Sequence, residues 1–576
     1  MNDITVRFSG EGGEGPISAG EILGKTLVRS GLDIFTFQSL PAEIKGGNAW
    51  YQIRAARHNP QSQGDLVHLL VCWDSEAFGL HHKVTGTEGV LLHDAKFNPP
   101  IAHDGTVYAI PFDRISRDIG NPRSKNAVVL GAICALLSVP LENLESEMWR
   151  RWGKAGEKLM NLNLAAARAG NEYARTKVER TDSLSLETGA ALTEMILHGN
   201  QAITLGAIAA GCDFFAGYPI TPASSILEQL AEDLPRLGGT VLQVEDEIAA
   251  LGAVLGGSFA GRKAMTATAG PGVSLMSEMI GLSSMAEIPC VIVDAMRGGP
   301  STGLPTKVEQ SDLNLAVYGS HGDAPRIVLA PSTVEECFYM TVDAFNLAEL
   351  CQMPVFLLTD SSLANRAQTM RRPDVSSLKI VHRMRPADMN GGSGTNGDYK
   401  RYLNTDDGAS PFAFPGQDDA FYTATGLEHD EYGHPNMRPE NHTKMSVKRW
   451  HKLEIARKEG PRPRYYGDDS AELGIITWGS GEGSAVEAIQ LAAAKGLPVA
   501  GMQLRMLSPF HDDEIRAFYD KRKLVIVTEL NFTGQLAHKL RGDLGLERVV
   551  SFTKCEGLAF SPLEILGKIE ATASNL

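Results

Sequence analysis

The sequence predicts an α/β protein made of several doubly wound domains, and three observations carry the prediction. An alternating strand from Ile4 to Phe8 enters a glycine-rich loop and continues into the helical pattern ISAGEILGKTLVRSG, the strand, loop, helix order of α/β units. From Gly199 to Asn365, the short apolar runs CDFFAGY, TVLQV, KAMTAT, PCVIVDA and PVFLLTD alternate with helical stretches. The segment LGIITWGSGEGSAVEAIQLAAAKG then opens a third unit of the same kind.

Each element follows from its composition. The runs LVHLLVCW and GVLLHD are apolar on both faces, as strands of a covered parallel sheet must be. The polar stretch Asn171 to Gly189 reads as a linker. Asp388 to Asp418, rich in Gly, Asn, Asp and Pro, reads as an irregular excursion. The expected domains are therefore 1–185, 190–370, an excursion over 371–465, and 466–576.

The totals narrow the function. A chain of 576 residues, 43% hydrophobic and 21% charged, suits a large globular enzyme. With a formal charge of −15 and no Lys/Arg cluster, no nucleic-acid partner is expected. No run of about 18 apolar residues and no N-terminal targeting pattern appears, so the expectation is cytoplasmic, with no membrane partner. The seven cysteines are scattered without a CxxC, which argues against an iron–sulfur or zinc site in this chain and for a reducing compartment.

Motif by motif, the chemistry is uneven. Gly10, Gly12 and Gly15 satisfy GxGxxG, which keeps a nicotinamide-dependent dehydrogenase as an alternative, but Glu11 and Glu14 in the same loop oppose a pyrophosphate and favour a plain turn. LEHDEYGH lacks HExxH spacing and reads as a solvated loop; no metal ligands are expected. GYPITPASSILEQL is more informative, because Pro219 and Pro222 stiffen a turn where a parallel strand ends, and α/β sheets place ligands there.

QVEDEIAALGAVLGGSFAG sets Glu245, Asp246 and Glu247 before an apolar run. An acidic helix N-terminus, favoured by the dipole, is the plain reading. Gly252, Gly256, Gly257 and Gly261 suit either another backbone in close approach or helix–sheet packing. Arg297 follows PCVIVDAM and so emerges at the same sheet edge, where its planar fork suits a carboxylate.

Those runs, with ATAGPGVSLMSE, MRGGPSTGLPTKVEQSDL, ATGLEHDEYGH and TELNFTGQLAHKL, resemble the α subunit of 2-oxoacid:ferredoxin oxidoreductases. The segment before the linker resembles the family's γ domain fused ahead of it, as in the 2-oxoglutarate:ferredoxin oxidoreductase branch. The resemblance implies a thiamine-diphosphate pyrimidine-binding-like domain over 190–370 and a transketolase C-terminal-like domain over 466–576. It assigns Glu247 to the ring nitrogen of the cofactor's aminopyrimidine, with Tyr218, Pro219 and Ile220 beside it. A carboxyl group buried among apolar side chains favours its protonated form and can share that proton with the ring.

It also assigns Arg297, Thr221 and Thr306, with Ser301 and Thr302, to the substrate, and Gly12, Gly13 and Lys45 to coenzyme A. The implied reaction is 2-oxoglutarate, coenzyme A and oxidised ferredoxin giving succinyl-CoA, carbon dioxide and reduced ferredoxin, in either direction. Pyruvate or another 2-oxo acid is the nearest alternative; a non-catalytic scaffold is the distant one. A β subunit is expected to carry the [4Fe–4S] cluster, Mg2+ and the diphosphate site, in an (αβ)2 assembly that reduces ferredoxin.

Overall fold

The computed structural model describes residues 2–41, 46–99, 101–388, 399–418 and 420–576. Two compact units divide it: Met1–Leu197 with Arg366–Arg372 and Ser561–Leu563, and the remainder.

The first unit holds an eight-stranded mixed sheet in the order Thr106–Ile110, Val90–Asp94, Leu69–Cys72, Asp3–Glu11, Asn48–Ala56, Asp33–Ser39, Ala367–Met370 and Met195–His198. The strands grown from LVHLLVCW and GVLLHD do pair in parallel. Ile4, Val6, Phe8, Val71 and Leu92 form the core with the helix Lys125–Leu137, in which Val128 to Cys134 are buried. That helix meets Glu157–Lys177 at backbone distance: a Cβ on Gly131 would lie 1.9 Å from the Ala167 carbonyl oxygen, and one on Gly170 2.0 Å from that of Val128. The predicted linker over Asn171–Gly189 is therefore corrected at its start. The helix runs on to Lys177, because Asn171 donates to the Gly131 carbonyl at 3.0 Å and Ala174 is buried, a face that polar neighbours conceal in the sequence.

The second unit contains two sheets. The seven-stranded one runs Met506–Ser508, Ile327–Leu329, Pro354–Asp360, Cys290–Met296, Ala264–Thr268, Phe214–Gly217, Thr240–Gln243. All neighbours are parallel except the Met506–Ser508 edge. The chain lays down Phe214–Gly217, steps outward to Thr240–Gln243, then returns past its start to Ala264–Thr268. A crevice opens at such a reversal beyond the carboxyl ends of the strands. The five-stranded sheet (Arg464–Gly467, Ala500–Gln503, Leu473–Thr477, Leu524–Glu529, Val549–Thr553) completes the unit.

The excursion ends in two helices, Pro439–His451 and Leu453–Glu459. They are anchored where Lys448 Nζ and Lys452 Nζ reach Glu287 Oε2 at 2.6 and 2.9 Å, all three side chains being fully or almost fully buried. Arg401 Nη2 donates to the Glu287 carbonyl at 2.7 Å. The LEHDEYGH segment, expected to be solvated, is bound into this fold: His429 is buried, and Glu428 takes Arg449 and His442.

Candidate active site

Three segments leave the carboxyl ends of adjacent parallel strands: the loop Tyr218–Pro222 after Phe214–Gly217, Ala269 and the first turn of the helix Gly270–Leu275 after Ala264–Thr268, and the loop Arg297–Gly303 after Cys290–Met296. The helix Glu247–Phe259 enters beside them. Its first turn separates the three carboxylates. Asp246 is the N-cap and accepts from the Ala249 amide at 2.7 Å; Glu245 and Asp246 are exposed, and Glu247, the first helical residue, is buried, only 6% exposed. Among the described residues the Glu247 carboxyl group accepts no hydrogen bond. It lies against Gly272, where a Cβ would stand 2.8 Å from Glu247 Oε1 and 2.0 Å from Thr268 Oγ1.

The opposite face of this helix is apolar and faces outward. Ile248 is 44% exposed, and a Cβ on Gly252 or Gly256 would meet nothing within 4 Å. Gly257 packs against Phe214 of the neighbouring strand and Gly261 against Phe414 of the excursion, whereas Gly252 and Gly256 face open space.

Arg297 is 8% exposed. Its Nη1 donates to the Thr221 carbonyl at 2.6 Å, tying the first loop to the third, while its buried Nε has no partner. Burial lowers its pKa, and Asp312 and then Glu247 raise it. A cavity of about 640 Å³ opens here, lined by Gly270, Arg297, Pro300, Ser301, Glu309 and Asp312, and by Asn531 and Phe532 from the loop after Leu524–Glu529 and Gln535 at the start of the helix that follows it. That loop is clamped to the cavity wall: Gln535 Nε2 donates to the Ser311 carbonyl at 2.6 Å, and Asn531 Nδ2 to that of Gln310 at 3.2 Å.

Beneath the cavity, Asp294 sits inside the central strand, fully buried, neither oxygen hydrogen-bonded. Burial pushes its carboxyl group well above the usual carboxylate range, and nearby Asp312 pushes it further. Burial and then Glu309 raise Asp312 to about 6, against the opposing pull of Arg297. Glu309 is raised by burial.

Residues 205–448 match the thiamine-diphosphate-binding domain of pyruvate flavodoxin/ferredoxin oxidoreductases; 5–173 and 471–565 match the pyruvate ferredoxin/flavodoxin oxidoreductase domain and core domain II of pyruvate:ferredoxin oxidoreductase. Subunit alpha of 2-oxoacid:ferredoxin oxidoreductase 2 from Aeropyrum pernix is 30% identical over 99% of this chain and 98% of its own. The chain belongs to the 2-oxoacid:ferredoxin oxidoreductase family. This member has the fused α-type arrangement and an α/β architecture that includes the expected thiamine-diphosphate-binding domain. The 2-oxoglutarate synthase subunit KorA of Methanothermobacter marburgensis is 39% identical over 65% of this chain and 98% of its own. A solved 2-oxoglutarate:ferredoxin oxidoreductase from Magnetococcus marinus, with 2-oxoglutarate, coenzyme A and succinyl-CoA bound, is 41% identical, with a TM-score of 0.94 over 99% of both chains.

The remaining expected residues are scattered. Tyr218, Pro219 and Thr221 are exposed and Ile220 half-buried on the first loop; Ser301 lines the cavity, whereas Thr302 and Thr306 do not. In the first unit, Gly12 donates to the Gly47 carbonyl at 2.9 Å and Glu11 to Asp74 Oδ2 at 3.2 Å, so two amides of the GxGxxG loop are engaged internally rather than free for a pyrophosphate. Gly13, at φ 102°, has open space around it, and Lys45 lies outside the described residues. Glu309, Asp312 and Asn531, which line the cavity, and Asp294, in the strand that ends there, had no marker in the sequence. EQSDL and TELNFTGQ stood inside the resembling runs, but nothing in their spacing marked these side chains.

Among the described residues no helix is long and apolar enough to cross a membrane, and no group of three or more His, Cys, Asp or Glu is placed to hold a metal.

Proposed function

We propose that this chain is the α subunit of a 2-oxoglutarate:ferredoxin oxidoreductase that interconverts 2-oxoglutarate and coenzyme A with succinyl-CoA and carbon dioxide. The observation that carries the reading is Glu247: a buried carboxyl group without a hydrogen-bond partner among the described residues, set against a glycine at the crevice where strand order reverses. That arrangement fits the aminopyrimidine of thiamine diphosphate, since the unengaged carboxyl oxygen suits a ring nitrogen and Gly272 leaves the space a side chain would fill. Bound there, the cofactor supplies the nucleophilic carbon and the electron sink for loss of carbon dioxide.

This chain's own residues do the rest. Glu247 holds or releases a proton at its carboxyl oxygen, tuning the ring it faces. Arg297, fixed by the Thr221 carbonyl, binds the oxo-acid carboxylate, with Ser301 beside it and Thr221, Thr302 and Thr306 on the neighbouring loops. The outward apolar face of the Glu247 helix takes the β subunit, whose backbone closes over Gly252 and Gly256 and excludes water. The seven cysteines are free and scattered, six of them buried, so the [4Fe–4S] cluster belongs to that partner, as do Mg2+ and the diphosphate site. The assembly is (αβ)2, ferredoxin takes the electrons, and coenzyme A approaches the Gly12–Gly13 loop with Lys45. A 41% identical relative solved with 2-oxoglutarate and coenzyme A supports this choice of substrates over pyruvate.

The test is to co-purify the chain with its partner and assay a panel of 2-oxo acids with coenzyme A and a low-potential acceptor. The expected outcome is reduction with the highest kcat/KM for 2-oxoglutarate. A complex that reduces the acceptor with no 2-oxo acid would overturn the reading.

A further inference from the structure

Asp312 is placed for a capping role that it does not perform. It is the N-cap of the helix Leu313–Tyr318, yet its side chain makes no capping hydrogen bond, and among the described residues it takes no other. N-cap aspartates ordinarily accept from the amide two or three residues on. Here the carboxylate turns to the cavity wall and lies against Gly270, where a Cβ would stand 2.6 Å from Oδ2. Arg297 lines the same cavity without forming an ion pair with it within 4.0 Å, leaving ligand space between them. We propose that Asp312 is a positioning residue for substrate capture: its carboxylate competes with the oxo-acid carboxylate for Arg297, so its charge state sets how tightly Arg297 holds the substrate.

The groups around it fix the sign. Asp294, on the central strand below, has two buried oxygens and no donor. An ionised carboxylate in that setting is prohibitively costly, so Asp294 is the neutral member of the pair and Asp312 the one that titrates. Glu309, from the preceding loop, raises Asp312, and Arg297 opposes it. Glu247, from the helix on the other side, acts on Arg297. Asn531 and Gln535 complete the wall without charge. As pH falls through about 6 Asp312 takes up a proton and more of the field of Arg297 becomes available to the substrate. Above it, a second anion shares that field and repels the incoming carboxylate. Substrate carboxylates stay ionised throughout.

The inference rests on the proposed 2-oxo acid reading, and the test separates the two. KM and kcat for 2-oxoglutarate are measured from acid to alkaline pH on the αβ complex, together with calorimetric binding of the oxo acid without coenzyme A. The wild-type KM and dissociation constant should rise on the order of tenfold across the Asp312 titration, the size of one charge brought near another at intermediate dielectric. In Asp312→Asn both should be flat with pH and close to the wild-type acid value, with kcat little changed. Glu309→Gln should keep the rise but move its midpoint to lower pH, and Asp294→Asn should leave it in place. An Asp312→Asn complex that keeps the wild-type rise, or that loses kcat at every pH with KM unchanged, overturns the assignment. So does a rise that disappears in Glu309→Gln or Asp294→Asn instead. Should the wild-type complex neither bind nor turn over any 2-oxo acid, the functional reading itself fails and this inference with it.

Discussion

Gly272→Ala probes the proposed site through one methyl group. The added carbon would stand 2.0 Å from Thr268 Oγ1, 2.7 Å from Glu247 Cγ and 2.8 Å from Glu247 Oε1. Non-bonded carbon contacts settle at about 3.5–4.0 Å, so even after Thr268 rotates away the Glu247 side chain must retreat by roughly 1 Å. Overpacking of this size costs about 1–3 kcal/mol, which a domain of this size tolerates while folded. A misplacement of about 1 Å at a reacting geometry costs on the order of 10²-fold in rate. The variant should therefore remain folded and assembled yet lose about two orders of magnitude in kcat. The assay is 2-oxoglutarate-dependent reduction of a low-potential acceptor by the αβ complex, with thermal unfolding in parallel. Gly567→Ala, in an open helical position with nothing within 4 Å, is the matched control. Near-wild-type turnover in Gly272→Ala would refute the claim that Glu247 must stand where it does.

Other outcomes follow from the same geometry. Glu247→Gln keeps size and burial but replaces the carboxyl group that faces the ring by an amide, so acceptor reduction should vanish while co-purification with the partner persists. Arg297→Ala removes a charge-assisted bond worth about 1.5–3 kcal/mol, so kcat/KM for the oxo acid should fall about 10- to 100-fold, mostly through KM. Gly256→Arg has room on the isolated chain but blocks the apolar helix face, so the chain should keep its circular dichroism and fail to co-elute with the partner. Glu287→Gln should cost about 3–5 kcal/mol in denaturant unfolding, because it leaves Lys448 and Lys452 buried without an anion. Burial opposes ionisation of Glu287, but Lys448, Lys452 and Arg401 together hold its carboxyl group below its ordinary value of 4.5. Its contribution is thus present above that pH and is lost as pH falls through the lower folded value, an acid-side loss that Glu287→Gln should abolish.

The strands named from the sequence were legible because short apolar runs bounded by turn residues have few other uses, whereas strands such as Asn48–Ala56 and Thr106–Ile110, with polar residues inside them, were not. PCVIVDAM became the central strand Cys290–Met296, and Arg297 emerges where that strand ends. The same run hid Asp294, since a single carboxylate in an apolar strand shows neither its burial nor its neighbours. Glu247 was distinguishable from Glu245 and Asp246 only through family resemblance. Physically the distinction arises because Asp246 caps the helix and turns the next residue inward. Asn171 misled for the opposite reason: a polar side chain that donates to a carbonyl across a helix pair looks like linker composition. The partners that fold LEHDEYGH inward, Arg449 and His442, lie well along the chain from Glu428, beyond the reach of local pattern.

The central claim is that Glu247 serves a thiamine ring at a seam between subunits. A structure of the αβ holoenzyme measures it directly. The account predicts a Glu247 carboxyl oxygen at hydrogen-bond distance, about 2.6–3.0 Å, from a nitrogen of the aminopyrimidine, with partner backbone against Gly252 and Gly256. A map in which Glu247 faces open solvent, with the cofactor seated elsewhere, would contradict it.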